Sequence, residues 1–316
     1  MRVLVTGADG FVGRRLVGRL TEAGHEVTAA CRPVQGQQNL GGDRWDNRVR
    51  TVPLELDDDR SVRRALSDPQ DAVVHLAAVA SVREAREDPG RAWVINAAGT
   101  ARVMDALISA REQGQSDPVV LNVSSSEVYG AGPALPRAES DPVLPQSPYA
   151  ASKAAAEIAA LEAWRRTKLR VILARPFTHT GPGQRPPYVV PAFIERLLAV
   201  KAGGPRRTPT GNLKPVRDLL DVRDVVEAYL ALMRSGIPGE TYNIARGEGI
   251  TLEQLFGRIA EIIGVEAEPF PDPNLVRSGD IPHLVGDATK LRETTGWSPA
   301  ITLNQTLQDM VDAQTH

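Results

Sequence analysis

"VTGADGFVGRRL", residues 5–16, decides the fold. An apolar run ends at Thr6, glycines follow at 7, 10 and 13, and apolar residues then recur at helical spacing. G-x-x-G-x-x-G between a strand and a helix permits a tight turn and lets backbone approach a phosphate closely. The helix N-terminus then faces the negative charge. Gly7, Gly10 and Gly13, with Phe11 and Val12 among them, are therefore expected to hold the pyrophosphate of a dinucleotide. A glycine triplet alone also suits a plain strand–helix turn. Its place after a strand and before a helix favours the dinucleotide.

Outward from this turn the pattern repeats. Strands are expected over 2–7, 26–31, 72–78, 118–125 and 170–176, with helices over 11–23, 60–67, 91–113 and 149–167. Such alternation implies an α/β fold, a doubly wound parallel sheet with helices on both faces and ligands beyond the carboxyl ends of the strands. After residue 176 the texture changes. "THTGPGQRPP" and "GGPRRTPTGNLKP" read as loops, 189–201, 222–234 and 252–263 as helices, 240–245 as a strand, and 270–284 as an extended arm.

Composition bounds the function. At 316 residues the chain has room for two lobes, or for one large domain with a substrate cap. A formal charge of −2 gives no field favouring nucleic acid or a membrane surface. The single cysteine, Cys31, excludes an internal disulfide framework and fits a reducing cytoplasm. No apolar run approaches the ~20 residues that span a bilayer, and "MRVLVTGADG" carries no signal-segment pattern. No metal is assigned. Lysine occurs only at 153, 168, 201, 214 and 290; the other basic residues are arginine.

The second strand of such a fold ordinarily ends in an acid that binds the adenosine ribose hydroxyls. Here that place, 18 residues after Gly13, holds Cys31, followed by Arg32. An acid would repel a 2′-phosphate, whereas a guanidinium pairs with it. NADP(H) is therefore expected over NAD(H); the plainer reading of Arg32 is a solvated surface residue.

"SPYAASKAAAE" places Tyr149 and Lys153 four apart, on one face of a helix. A phenol loses its proton near pH ~10 in water. A neighbouring ammonium, with a cofactor's positive ring, is expected to lower that value and let Tyr149 exchange a proton with a hydroxyl or ketone at neutral pH. Ser125 ends a predicted strand on the ligand side of the sheet and can steady the reacting oxygen. Alone, Y-x-x-x-K is a common helical pair and Ser125 a turn cap. Together with the glycine turn they are far more specific.

On these residues, and on "HLAA" (75–78), "INAAGT" (95–100), "SSSEVYG" (124–130) and "RPFTHTGPGQ" (175–184), the chain resembles an extended short-chain dehydrogenase/reductase almost end to end. That family modifies nucleotide sugars. The resemblance implies a Rossmann domain over 1–176, with returning segments near 211–247, and a smaller C-terminal α/β substrate-binding domain over 177–316. It implies a homodimer through the helices around 91–111 and 149–167. It places Leu76, Ala77, Ala78 and Pro176, besides Tyr149 and Lys153, against the cofactor, and Glu55 and Leu56 at the adenine, where the family usually has Asp in place of Glu55. It places Ser126, Thr178, Asn212, Arg217 and Arg277 at the substrate. Arg217 and Arg277 lie in polar loops, and guanidinium groups suit a diphosphate, as they suit a surface salt bridge. Thr178 stands where the family usually has Asn.

The second half is similar to the 4-ketoreductases of the family, which act on a GDP-6-deoxy-4-keto-mannose-like substrate. The expected reaction is reduction of a C4 ketone by NADPH, with the proton from Tyr149. The base and the sugar stay open, since threonine is shorter than asparagine and donates one hydrogen. Three other readings stay open: a nucleotide-sugar 4,6-dehydratase, a C4 epimerase, and a non-catalytic NADP-sensing protein. Glu127 marks the first choice. In dehydratases a Glu here is the base at C5; in a reductase Glu127 binds sugar hydroxyls.

Overall fold

Val3 and Val5 face one way along the first strand and Leu4 the other, and all three are fully buried. The strand is therefore covered on both faces, as the alternation of strands and helices predicts. The computed structural model describes residues 1–33, 45, 48–276 and 279–315; Arg277 lies outside the described residues.

In chain order the strands are β1 (Arg2–Thr6), β2 (Glu26–Cys31), β3 (Val49–Pro53), β4 (Ala72–His75), β5 (Val119–Val123), β6 (Arg170–Pro176), β7 (Thr178–Thr180), β8 (Arg207–Thr210), β9 (Val216–Asp221), β10 (Thr241–Ile244), β11 (Gly249–Thr251), β12 (Glu268–Pro271) and β13 (His283–Leu284). The helices are α1 (Phe11–Glu22), α2 (Asp59–Ala65), α3 (Val82–Glu87), α4 (Pro89–Ala92), α5 (Gly99–Glu112), α6 (Pro148–Thr167), α7 (Val189–Lys201), α8 (Val222–Ser235), α9 (Leu252–Ile263), α10 (Thr289–Thr295) and α11 (Leu303–Thr315).

The main sheet runs β10-β6-β5-β4-β1-β2-β3, and every pairing in it is parallel. It is a Rossmann sheet. One face packs on α1 and α8 through Leu16, Leu20, Val225 and Leu232; the other packs on α2, α5 and α6 through Val62, Val103, Leu107 and Ala160. Each fully buried aliphatic side chain contributes about 1.5–3 kcal/mol relative to an exposed one. The buried face of α6 is mostly alanine, so the helix can lie close to its neighbours. The order reverses at β1, with β4 on one side and β2 on the other. That switch point opens the crevice in which such sheets bind ligands.

The second half carries a smaller core of α7, α9 and α11 against Leu219 and Ile250. β9 pairs with β7, β11 and β13. Strand β10 and helix α8 return to the first sheet and its face. Two segments read as loops differ: "THTGPGQRPP" begins with β7, and "GGPRRTPTGNLKP" contains β8, which pairs in parallel with β12 from the extended arm.

Candidate active site

A single cleft of about 810 Å³ runs from the glycine turn, across the carboxyl ends of β1, β4 and β5, to the second half. That is within the ~300–1,000 Å³ of ligand pockets.

At one end stands the turn. Gly7 has φ of 65°, and a Cβ there would sit 2.9 Å from the Ala77 Cα. A Cβ on Gly13 would lie 2.2 Å from the Gly7 carbonyl oxygen. Gly10 meets only that oxygen, at 3.2 Å, and caps α1 with no side-chain hydrogen bond and no acid in the first turn. The helix end is thus left to an anion. Phe11, Val12, Glu55, Leu56, Leu76, Ala77 and Ala78 line the same stretch, and so does Arg32, exposed just after β2. These residues form a cradle that fits a dinucleotide.

A buried chain of hydrogen bonds behind this end was not legible beforehand. Thr6 Oγ1 accepts from the backbone N–H of Leu76 (3.1 Å) and Ala77 (3.0 Å), so its own hydrogen goes to His75 Nδ1 at 2.8 Å. The other ring nitrogen of His75 then donates to Thr100 Oγ1 (3.2 Å), which donates to the Asn96 carbonyl (2.6 Å). Burial holds His75 neutral and lowers its pKa to about 3. Asn96 sits in a π-helical stretch, Trp93–Ala98. Its side chain clamps the backbone of Val79 and donates to Ser152 Oγ at 2.9 Å. Ser152 precedes Lys153, so the loop after β4 and the start of α6 are tied through Asn96. "HLAA" and "INAAGT" contained the signal; the partners were invisible.

The chemistry-bearing groups meet at the middle of the cleft. Ser147 caps α6 by accepting from the Ala150 N–H at 3.1 Å, and Pro148 opens the helix. That places Tyr149 in the first turn, aimed at the end of β5. Ser125 Oγ accepts from the Glu127 N–H at 3.2 Å and is hydrogen-bonded to the Tyr149 phenol. Lys153 donates to the Val123 carbonyl. Burial raises the Tyr149 pKa, and the Glu127 carboxylate raises it further, against the bond from Ser125. The expected lowering of the phenol by Lys153 is not what the protein alone produces: desolvation and Glu127 raise the phenol, and the opposing influence comes from Ser125. Lys153 itself is lowered to about 8 by burial, opposed by Glu157. Ser124 is buried beside this group, and its hydroxyl has no partner.

Pro176, Ser126, Thr178, Asn212 and Arg217 all line the cleft. Arg217 donates to the carbonyls of Val216 (2.9 Å) and Ile281 (2.7 Å), which brings it to the base of the arm. His179 and Tyr188, not expected from the sequence, line the cleft too. His179 Nδ1 bonds the Phe177 carbonyl at 2.9 Å, which leaves its Nε2 as an acceptor.

A nicotinamide dinucleotide along the cradle and a second ligand against Ser125 and Tyr149 would share one volume. The model of the NAD dependent epimerase/dehydratase family matches residues 3–245. The chain belongs to that family. It is an enzyme of the extended short-chain dehydrogenase/reductases and takes a nicotinamide dinucleotide. It is 36% identical over 311 residues to the GDP-6-deoxy-D-mannose reductase of Pseudomonas aeruginosa, covering 97% of this chain and 95% of that one. It is 34% identical over 321 residues to the UDP-glucose 4-epimerase of Mycolicibacterium smegmatis, covering 99% and 98%. Among solved structures, RMD from Pseudomonas aeruginosa complexed with NADPH superposes with a TM-score of 0.84, at 33% identity, over 99% of this chain and 98% of that one.

Proposed function

We propose that the chain reduces the C4 ketone of a nucleotide-linked 4-keto-6-deoxyhexose, a GDP-6-deoxy-4-keto-mannose-like substrate, and that it prefers NADPH. The similarity to a GDP-6-deoxy-D-mannose reductase along 97% of the chain carries this reading. Arg32 supports the cofactor choice, because its guanidinium lines the cleft where an acid would repel a 2′-phosphate.

When bound, the cofactor supplies the hydride. Ser125 holds the ketone oxygen, and Tyr149 gives it a proton. A phenol whose pKa lies above its ordinary value stays protonated at neutral pH and so begins the reduction as an acid. Lys153 stabilises the phenolate left behind. Arg217 and Arg277 take the diphosphate, and Ser126, Glu127, Thr178 and Asn212 take sugar and nucleoside hydroxyls. Residues 1–176, with the returning 211–247, form the cofactor half, and 177–316 the substrate half. Trp93, Val94 and Ile158 are exposed on the helices at 91–111 and 149–167, which supports a homodimer through them. Among the described residues no helix is long and apolar enough to cross a membrane, and we assign the enzyme to the cytoplasm.

One observation favours a second reading. The Glu127 carboxylate lies near enough to Tyr149 to raise its pKa, which also suits the base of a 4,6-dehydratase. Absorbance at the reduced-nicotinamide band separates the two. Net NADPH consumption with a 4-keto sugar nucleotide is the expected result. Turnover of a 4-hydroxy sugar nucleotide with no net change means dehydratase or epimerase, and NADPH binding with no turnover of either means a sensor.

A further inference from the structure

Lys153 is buried, with 7% of its surface exposed, and so are Glu157 at 5% and Arg175 at 5%. Lys153 and Glu157 stand four apart on the inward face of α6, where side chains at that spacing are neighbours. Arg175 reaches Glu157 from β6 with two parallel bonds, Nε to Oε1 at 2.9 Å and Nη2 to Oε2 at 2.7 Å. Its remaining nitrogen donates to the Tyr129 hydroxyl at 2.9 Å, which donates to Asn243 at 2.7 Å. The core therefore holds two cations and one anion in a row. Burying such a pair is weak evidence of stabilisation, because apolar residues of the same volume commonly do as well. Its position beside Lys153 supplies another reason for it.

We propose that Glu157 is the counter-ion of Lys153, and that Arg175 makes it a positioning residue for proton transfer by fixing the carboxylate one helical turn away. Both Glu157 oxygens are taken by Arg175, so the carboxylate does not fold onto the ammonium. It acts through its field and leaves the Lys153 N–H groups to the Val123 carbonyl and the cleft. The other titratable groups around Lys153 do not replace it. His75, from β4, is neutral. Glu127, from the turn after β5, acts on Tyr149, as does Tyr188, and Tyr149 in turn acts on Tyr229 from α8. Arg175, from β6, repels the ammonium. Glu157 is the group that favours the charged form of Lys153.

The proposal rests on the reading of Tyr149 and Lys153 as the proton-transfer pair, and its test is separate from that reading. Only five lysines are present, and Lys153 is the buried one. Its titration is therefore readable by NMR of protein labelled with [13Cε]lysine, with and without NADPH. In Glu157→Gln two cations are left together. Arginine keeps its proton, so the Lys153 titration should move down by about one pH unit or more. In Arg175→Gln the carboxylate is left to Lys153 alone, and the titration should move up by a similar amount. Glu157→Asp, which keeps the charge, should stay near wild type. A merely structural role would lower the melting temperature of the variants and leave the Lys153 titration where it was, which would overturn the proposal. Should Glu157→Gln not fold, an unmoved or lowered titration in Arg175→Gln overturns it. Should neither fold, a wild-type Lys153 that loses its proton below about pH 7 overturns it, since its burial would then be uncompensated. Failure of the proton-transfer reading has a different signature: full turnover in Tyr149→Phe, with the Lys153 shifts intact.

Discussion

The Gly7 carbonyl oxygen lies where a Cβ on Gly13 would come within 2.2 Å of it. Backbone faces backbone there, so no side chain can give way. The third glycine of the turn thus serves the packing of α1 against β1, while Gly10 has more room, at 3.2 Å.

Gly13→Ala should therefore lose both NADPH affinity and stability, by about 1–3 kcal/mol for an overpacked site. Gly10→Ala should lose affinity and keep most of its melting temperature. Fluorescence titration with NADPH and thermal melting measure the two. Equal losses of stability in both variants would contradict the assignment.

Tyr149→Phe should bind NADPH like wild type and turn over ~10²–10⁴ more slowly, the usual loss when a general acid is removed. Near wild-type turnover would take Tyr149 out of the mechanism.

Arg32→Ala should narrow the preference for NADPH over NADH. A charge-assisted pair at a partly exposed site is worth ~1.5–3 kcal/mol, or roughly ten- to a hundredfold in affinity. Equal dissociation constants for the two cofactors in wild type would end the argument for NADP(H).

Glu127→Gln keeps the size of the side chain and removes its charge. As a holder of sugar hydroxyls it costs ~1.5–3 kcal/mol of substrate binding and leaves most of the rate. A dead variant, together with solvent deuterium at C5 of the product, would make the enzyme a dehydratase.

His75 gives the native state a specific weakness to acid. The unfolded chain takes up a proton at its ordinary value of 6.5, and the folded chain only near about 3. Stability from this group is therefore intact above pH 6.5 and falls as the pH drops toward 3, by up to ~1.4 kcal/mol per unit. His75→Gln cannot be protonated. Between about pH 7 and about pH 4.5 it should lose roughly 2–3 kcal/mol less than wild type in urea unfolding. Parallel losses in the two proteins would show that His75 does not titrate this way.

The sequence by itself determined what short-range chemistry determines. The glycine turn, most strand and helix periods of the first half, and the spacing of Tyr149 from Lys153 each depend on residues within one or two turns of chain, and the structure has these as read. It adds β3 and α3, which the pattern did not give, and divides the helix expected over 91–113 at the π-helical stretch Trp93–Ala98. β8 and β12 were hidden for a local reason too. Pro209, Pro269 and Pro271 look like loop residues, yet each strand has a free edge in this two-stranded sheet, where a missing N–H is tolerated. Only the tertiary structure decided the proton affinities at the site. Tyr149 is raised by its burial and by Glu127, 22 positions away, and His75 is held neutral between Thr6 and Thr100. Glu157 is clamped by Arg175 from another strand. Desolvation and charge act through space, and no pattern along the chain records which distant residues will share that space.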